Sequence, residues 1–202
     1  MRSLEGHLLI ASPHIGDARF ERTVVLLLHH DPEGAFGVIL NRPLPETVDG
    51  LWRKLGHDGC ENEQPVNLGG PVSGPLIALH GIKSLAEFEI PPGLYVAEHR
   101  KTIERLLKKS APNLRIFVGH SGWTSGQLES EIDSGSWFIM PADKDHIFGE
   151  QEDLWVSAVR EKGRRFLSDA LGIFDFPEDP SMNSARVYHT ARISHTLRRE
   201  RW

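Results

Sequence analysis

A serine and a histidine stand side by side in Gly119-His120-Ser121-Gly122-Trp123, and the flanking glycines pose the question of nucleophilic catalysis. In the nucleophile elbow G-x-S-x-G, the second glycine permits a sharp turn and close packing beneath an exposed serine. Trp123 stands where that glycine is required. His120 would serve as base only if the loop folded back on itself, and a triad also needs an orienting acid and oxyanion donors. Ser121 and His120 are therefore weak catalytic candidates, and a hydrolase built on them is the alternative reading. The segment follows a strand candidate and leads into a helix candidate, with Thr124 and Gln127 at capping-box spacing. As strand, tight loop and helix start, it offers backbone N–H groups to a small anion. The plainer expectation is that its glycines make the turn, Trp123 fills the core, and Gln127 with Glu129 satisfies the early helix donors.

Asn67-Leu68-Gly69-Gly70-Pro71-Val72-Ser73-Gly74-Pro75 is dense in glycine and proline. It has no lysine at Walker spacing and no dinucleotide three-glycine spacing, so it reads as a rigid turn before the strand candidate Leu76–His80. His29-His30-Asp31 combines imidazole with carboxylate, but consecutive strand residues face opposite ways unless a bulge intervenes. His80, His99 and His120 each end an apolar or strand-like run and would form a ligand set only if those strands were neighbours. No H-E-x-x-H occurs. The default is ordinary hydrogen-bonded or surface histidines, with no metal site and no cofactor assigned.

Around these residues the chain reads as layers. Thr23–Leu28 and Phe36–Leu40 flank Asp31-Pro32-Glu33-Gly34, which suits a type I turn. Val24–Leu28 is apolar without alternation, the mark of a strand covered on both faces, which implies a layered α/β core. Further strands are expected at Leu8–Ala11, Val66–Leu68, Leu94–Val96, Arg115–Val118 and Trp137–Met140. Helices are expected at Thr47–Leu55, at Lys101–Lys109 with Ile103, Leu106 and Leu107 on one stripe, and from about Asp153 to Leu171, with Gly163 weakening the last and Gly172 as its cap.

The chain has 202 residues and one cysteine, Cys60. That length suits one cored domain, here 1–176, followed by a Pro-containing and then Arg-rich tail, 177–202. A single cysteine forms no internal disulfide, and the N-terminus lacks a secretory apolar stretch, so the cytoplasm is the expected compartment. No apolar run approaches the ~18 residues of a membrane span. Net charge is −5, and from Arg186 to Trp202 five arginines stand against Glu200, a net of +4 that leaves −9 for the rest. An acidic body disfavours direct nucleic-acid binding. The tail is expected to be a solvated terminus, able to dock on that body.

Several markers recur together: Gly6-His7-Leu8-Leu9-Ile10-Ala11-Ser12-Pro13 with Asp17 and Phe20, Asn41-Arg42-Pro43, Gly69-Gly70-Pro71-Val72 with Leu79-His80, and Gly122-Trp123 through Gly126-Gln127-Leu128-Glu129 to Trp137. With them the chain resembles the AlgH/YqgE family of bacterial proteins over about Leu4 to Leu171. The resemblance implies a single-domain α/β (α+β) protein with a coiled, branched, mostly antiparallel sheet flanked by helices. It also implies a cytosolic protein, in a family described as transcriptional regulators through a genetic association with alginate production. It brings no catalytic residues, and the Arg-rich end departs from the family pattern. The leading expectation is a non-catalytic binding or regulatory protein, any transcriptional role being indirect. Its loops at Asn41-Arg42, Gly69-Gly70 and Ser121-Gly122-Trp123 to Gln127 would meet on one surface and hold a protein partner or small anionic ligand.

Overall fold

A computed structural model describes residues 3–171 except 92, 112 and 150–152, with no side chains given for 167–171. The chain divides into two compact units between Lys162 and Gly163. Of the second unit only the helical stretch 163–171 is described. Gly172 and the tail lie outside the described residues.

The first unit is built on ten strands: β1 (His7–Ala11), β2 (Val24–Asp31), β3 (Gly34–Ile39), β4 (Pro43–Thr47), β5 (Pro65–Leu68), β6 (Val72–His80), β7 (Phe88–Ile90), β8 (Leu94–Ala97), β9 (Arg115–Thr124) and β10 (Trp137–Pro141). Their main order is β10-β1-β2-β3-β9-β6-β8-β7, with β4 pairing β5 and β5 pairing β9. Among the described residues, only the β5–β9 pair is parallel. The expected fold class holds: the sheet curls, branches and is mostly antiparallel.

The branch lies on β9. Its C-terminal half, Ser121–Thr124, pairs with β3, whereas Phe117 and Val118 pair with β5 on one side and β6 on the other. Where β3 leaves and β5 takes over, Gly69 donates to the Val118 carbonyl at 2.8 Å and accepts from Ile39 N–H at 2.8 Å. A Cβ at Gly69 would sit 2.2 Å from the Gly119 carbonyl oxygen, so only glycine lets the backbones cross this closely. Gly119 itself bends β9 at φ +70.

Alternate residues of the central strands feed opposite cores, which is why Val24–Leu28 is uniformly apolar. Leu8, Ile10, Leu26, Leu28 and Phe117 pack inside the curl. Leu9, Val25, Leu27 and Ile39 face the other way, against Trp123, Trp137 and Leu128. A third cluster lies under α1 (Val48–Lys54) and α2 (Arg100–Lys108), where Ile103, Leu106 and Leu107 are buried as their stripe predicts. α3 (Gln127–Asp133), α4 (Lys144–Phe148) and α5 (Leu154–Leu171) complete the α-helices among the described residues.

Three expectations need correction. β9 does not end at Val118 in a tight loop; it continues to Thr124, because the backbone beyond Gly119 finds partners in β3. The turn expected over 67–75 shrinks to Gly69-Gly70-Pro71, since Val72 already pairs with His120 across a register shift. The short strands β4 and β7 and helix α4 go beyond the expected elements: β4 contains Pro43 and Pro45 and pairs with β5, β7 is only three residues long and pairs with β8, and α4 starts from an Asp143 capping box.

Candidate functional site

Alternation along β9 decides the fate of the serine–histidine pair. Ser121 is fully buried, and its hydroxyl donates to the Gly69 carbonyl at 3.2 Å. His120 points to the other face, edge-on to Phe36 with ring centroids 6.2 Å apart. The two side chains sit back to back, so His120 does not serve as base for Ser121, and the hydroxyl binds the branch point of the sheet. The segments Ile39–Arg42, Asn67–Gly70 and Val118–Ser121 do converge, since Leu68 N–H also donates to the Arg42 carbonyl at 2.8 Å. Their backbone groups satisfy one another.

Gly122, Trp123 and Gln127 lie farther along. Gly122 is an exposed strand residue, and Gly126, at φ +73, is the N-cap in a left-handed conformation that favours glycine. The Gln127 side-chain oxygen accepts from the Thr124 amide at 3.1 Å and its hydroxyl at 3.2 Å, but the N-cap is Gly126 with no side-chain cap bond, so the capping box expected from the Thr124–Gln127 spacing does not form. α3 is only seven residues long and carries Glu129 in its first turn. The anion site expected at this helix start therefore has no support in the geometry. Both indoles, Trp123 and Trp137, donate to Glu131 Oε2 at 2.8 Å. Buried His30 accepts the Leu4 amide at Nδ1, which leaves Nε2–H to donate to Glu129 at 2.8 Å. Glu129's own helical amide and then His30 hold its carboxyl below the usual range.

Asn41 ties the chain, accepting Val24 N–H at 2.9 Å and donating to the Arg22 carbonyl at 2.9 Å. Beside it, Arg42 donates to the Glu21 carbonyl at 2.6 Å. Arg22 lies over the Trp155 ring, 5.0 Å from its centroid. These residues border an open cleft of ≈ 530 Å³. Neither arginine is ion-paired with a carboxylate among the described residues. Arg22 was not singled out in the sequence; its positive φ of 54 is a tertiary property.

A second cleft, of ≈ 400 Å³, was not anticipated. Arg115, the first residue of β9, donates from Nη1 to the Ile147 carbonyl at 2.8 Å and from Nη2 to the Leu40 carbonyl and Asn67 Oδ1, both at 2.6 Å. Burial pulls its pKa down to about 10, so it remains a cation at neutral pH. In the sequence it is one arginine at a strand edge; no local signal shows that it turns inward.

Among the described residues, the histidines gather into no metal-holding group. Val72, the partner of His120, and His80 lie eight steps apart on β6, about 25 Å along a strand. His29 is exposed and paired with Asp31 at 2.9 Å, and His30 points inward, so the bulge in β2 leaves them on opposite faces. No group of three or more His, Cys, Asp or Glu placed to hold a metal occurs among the described residues.

A curled, branched antiparallel sheet with glycines at its branch and arginine-lined clefts at its surface defines the structural class. The family model AlgH-like (DUF179) matches residues 8–167, and the chain belongs to that family. A UPF0301 protein of Streptomyces avermitilis is 36% identical over 201 residues, covering 90% of this chain and 96% of its own. One from Myxococcus xanthus is 37% identical, with 81% and 93% covered. The solution structure of the AlgH protein from Pseudomonas aeruginosa superposes with a TM-score of 0.69 at 25% identity, covering 88% of this chain and 100% of that one. A Corynebacterium diphtheriae protein shares the fold at a TM-score of 0.66 and 22% identity. No helix among the described residues is long and apolar enough to cross a membrane.

Proposed function

We propose that this chain is a non-catalytic, cytosolic binding protein that recognises a small anionic ligand at the Asn41–Arg42 cleft. The observation that carries the reading is the pair Arg22 and Arg42, which outnumber Glu21 in the lining of one cleft and are ion-paired with no carboxylate among the described residues. Cationic side chains beside an apolar ring attract an anion and discriminate by geometry. Any effect on transcription would be indirect, through the ligand or a protein that senses it. A hydrolase built on Ser121 gains nothing from the geometry, because its hydroxyl is buried and already donates to a backbone carbonyl.

A thermal-shift screen of the full chain against nucleotides, phosphorylated metabolites, divalent metals and short DNA tests this. A ligand of the native state raises the melting temperature saturably. The reading expects such a rise with an anionic compound, its loss in Arg42→Ala and its survival in Ser121→Ala. The absence of any saturable shift that Arg42→Ala abolishes refutes it.

A further inference from the structure

Among the described residues, no carboxylate neutralises the charge in the Arg115 cleft. A guanidinium has five N–H donors. Three are engaged, all with neutral oxygens: two backbone carbonyls and the Asn67 side-chain amide. Asn67 is buried and is held in place by Nδ2 donating to the Ile116 and Pro65 carbonyls at 3.3 Å, so its oxygen is fixed towards Arg115. Nε and one Nη1 hydrogen have no partner among the described residues. Among the described residues, no acidic side chain lines the cleft. Pro43, Pro65, Leu114 and Phe148 form apolar walls, which weaken screening by water and concentrate the field of the single cation. Gln64 and Asn113 stand at the rim with amides able to donate and accept. The volume lies in the usual range of small-molecule sites.

We propose that this cleft binds a small polar metabolite through one oxyanion group, phosphate or carboxylate, seated on Arg115, with Gln64 and Asn113 contacting its neutral part. The site is separate from the Arg22–Arg42 cleft. It shares with the proposed function only the anionic nature of the ligand, and each fails by its own variants. Crosslinking of β9 to Leu40, Asn67 and Ile147 would account for three of the donors, but not for a cation facing a cleft with no acidic side chain among the described residues.

The test uses the full-length chain with inorganic phosphate, succinate and adenosine monophosphate, each against chloride at equal ionic strength. It is read by thermal shift and by NMR of the Gln64 and Asn113 side-chain amides. Arg115→Met removes the cation but also three structural hydrogen bonds, so Asn113→Asp is the cleaner variant. It places a negative charge at the rim, leaves the Arg115 bonds intact, and keeps a residue type that tolerates the φ of 54 found there. At least one probe should bind saturably, moving both amide signals, and the affinity read from those signals should be about tenfold weaker in Asn113→Asp. A carboxylate-only or phosphate-only response identifies the group. No saturable binding by any probe, or binding equally strong in Asn113→Asp, overturns the proposal.

Discussion

Ser121→Ala separates a structural serine from a reactive one. The substitution removes a single hydrogen bond, Oγ to the Gly69 carbonyl at 3.2 Å, at the long end of the useful range. The abandoned carbonyl keeps its bond from Ile39 N–H at 2.8 Å, so no buried acceptor is orphaned and the desolvation penalty does not arise. What is lost is one net hydrogen bond, about 0.5–1.5 kcal/mol, and the void left is smaller than a methyl group. The expected destabilisation is about 1 kcal/mol, a fall in melting temperature of roughly 2–4 °C for a chain of this size. Urea denaturation gives the free energy, and the anion screen repeated on the variant gives the binding. Retained stability with binding or turnover abolished would refute the reasoning, because it would mean that the hydroxyl meets a ligand. A loss above about 3 kcal/mol would refute it in the other direction, since one bond with a satisfied acceptor does not carry that much.

Gly69→Ala should be far more costly. Its Cβ meets a backbone carbonyl at 2.2 Å that is itself part of the branch, so overpacking and strained hydrogen bonds together remove about 3–5 kcal/mol, measured by the same denaturation; a loss below 1 kcal/mol would show that the crossing is slack. Glu131→Gln turns an acceptor of two indoles and of the Gln127 amide at 2.9 Å into a group that must present a donor to one of them. It should cost about 2 kcal/mol and change tryptophan emission, and an unchanged spectrum would contradict the geometry. Burial alone would raise the Glu87 pKa, but the Glu98 amide, the His99 ring, Thr102 and the His99 amide outweigh it and hold the value at about 2. The folded value lies below the ordinary 4.5, so this stabilisation is complete above pH 4.5 and fades as acid is added down to about 2. In Glu87→Gln, acid-titration calorimetry should show a shallower fall across that window; an identical profile would dismiss the carboxylate's role.

The AlgH-like membership and the layered core were legible because they rest on local pattern. The doubly apolar run Val24–Leu28 needs cover on both faces wherever it sits, and Asp31 closes its hairpin with side-chain bonds to the Glu33 and Gly34 amides at 2.8 and 3.1 Å. Ile103, Leu106 and Leu107 form a stripe on any helix of that sequence. These are consequences of backbone geometry acting on neighbours in the chain.

Tertiary structure alone decided what the chemically suggestive residues do. Ser121 looked like part of a loop because glycine surrounds it, yet β3, more than eighty positions earlier in the chain, supplies the hydrogen bonds that keep it in a strand and bury its hydroxyl. Arg115 drew no notice, yet Leu40, Asn67 and Ile147 arrive from three distant parts of the chain to hold it inward. Burial and charge compensation depend on which segments meet. That information lies in long-range packing, which single-chain spacing does not encode.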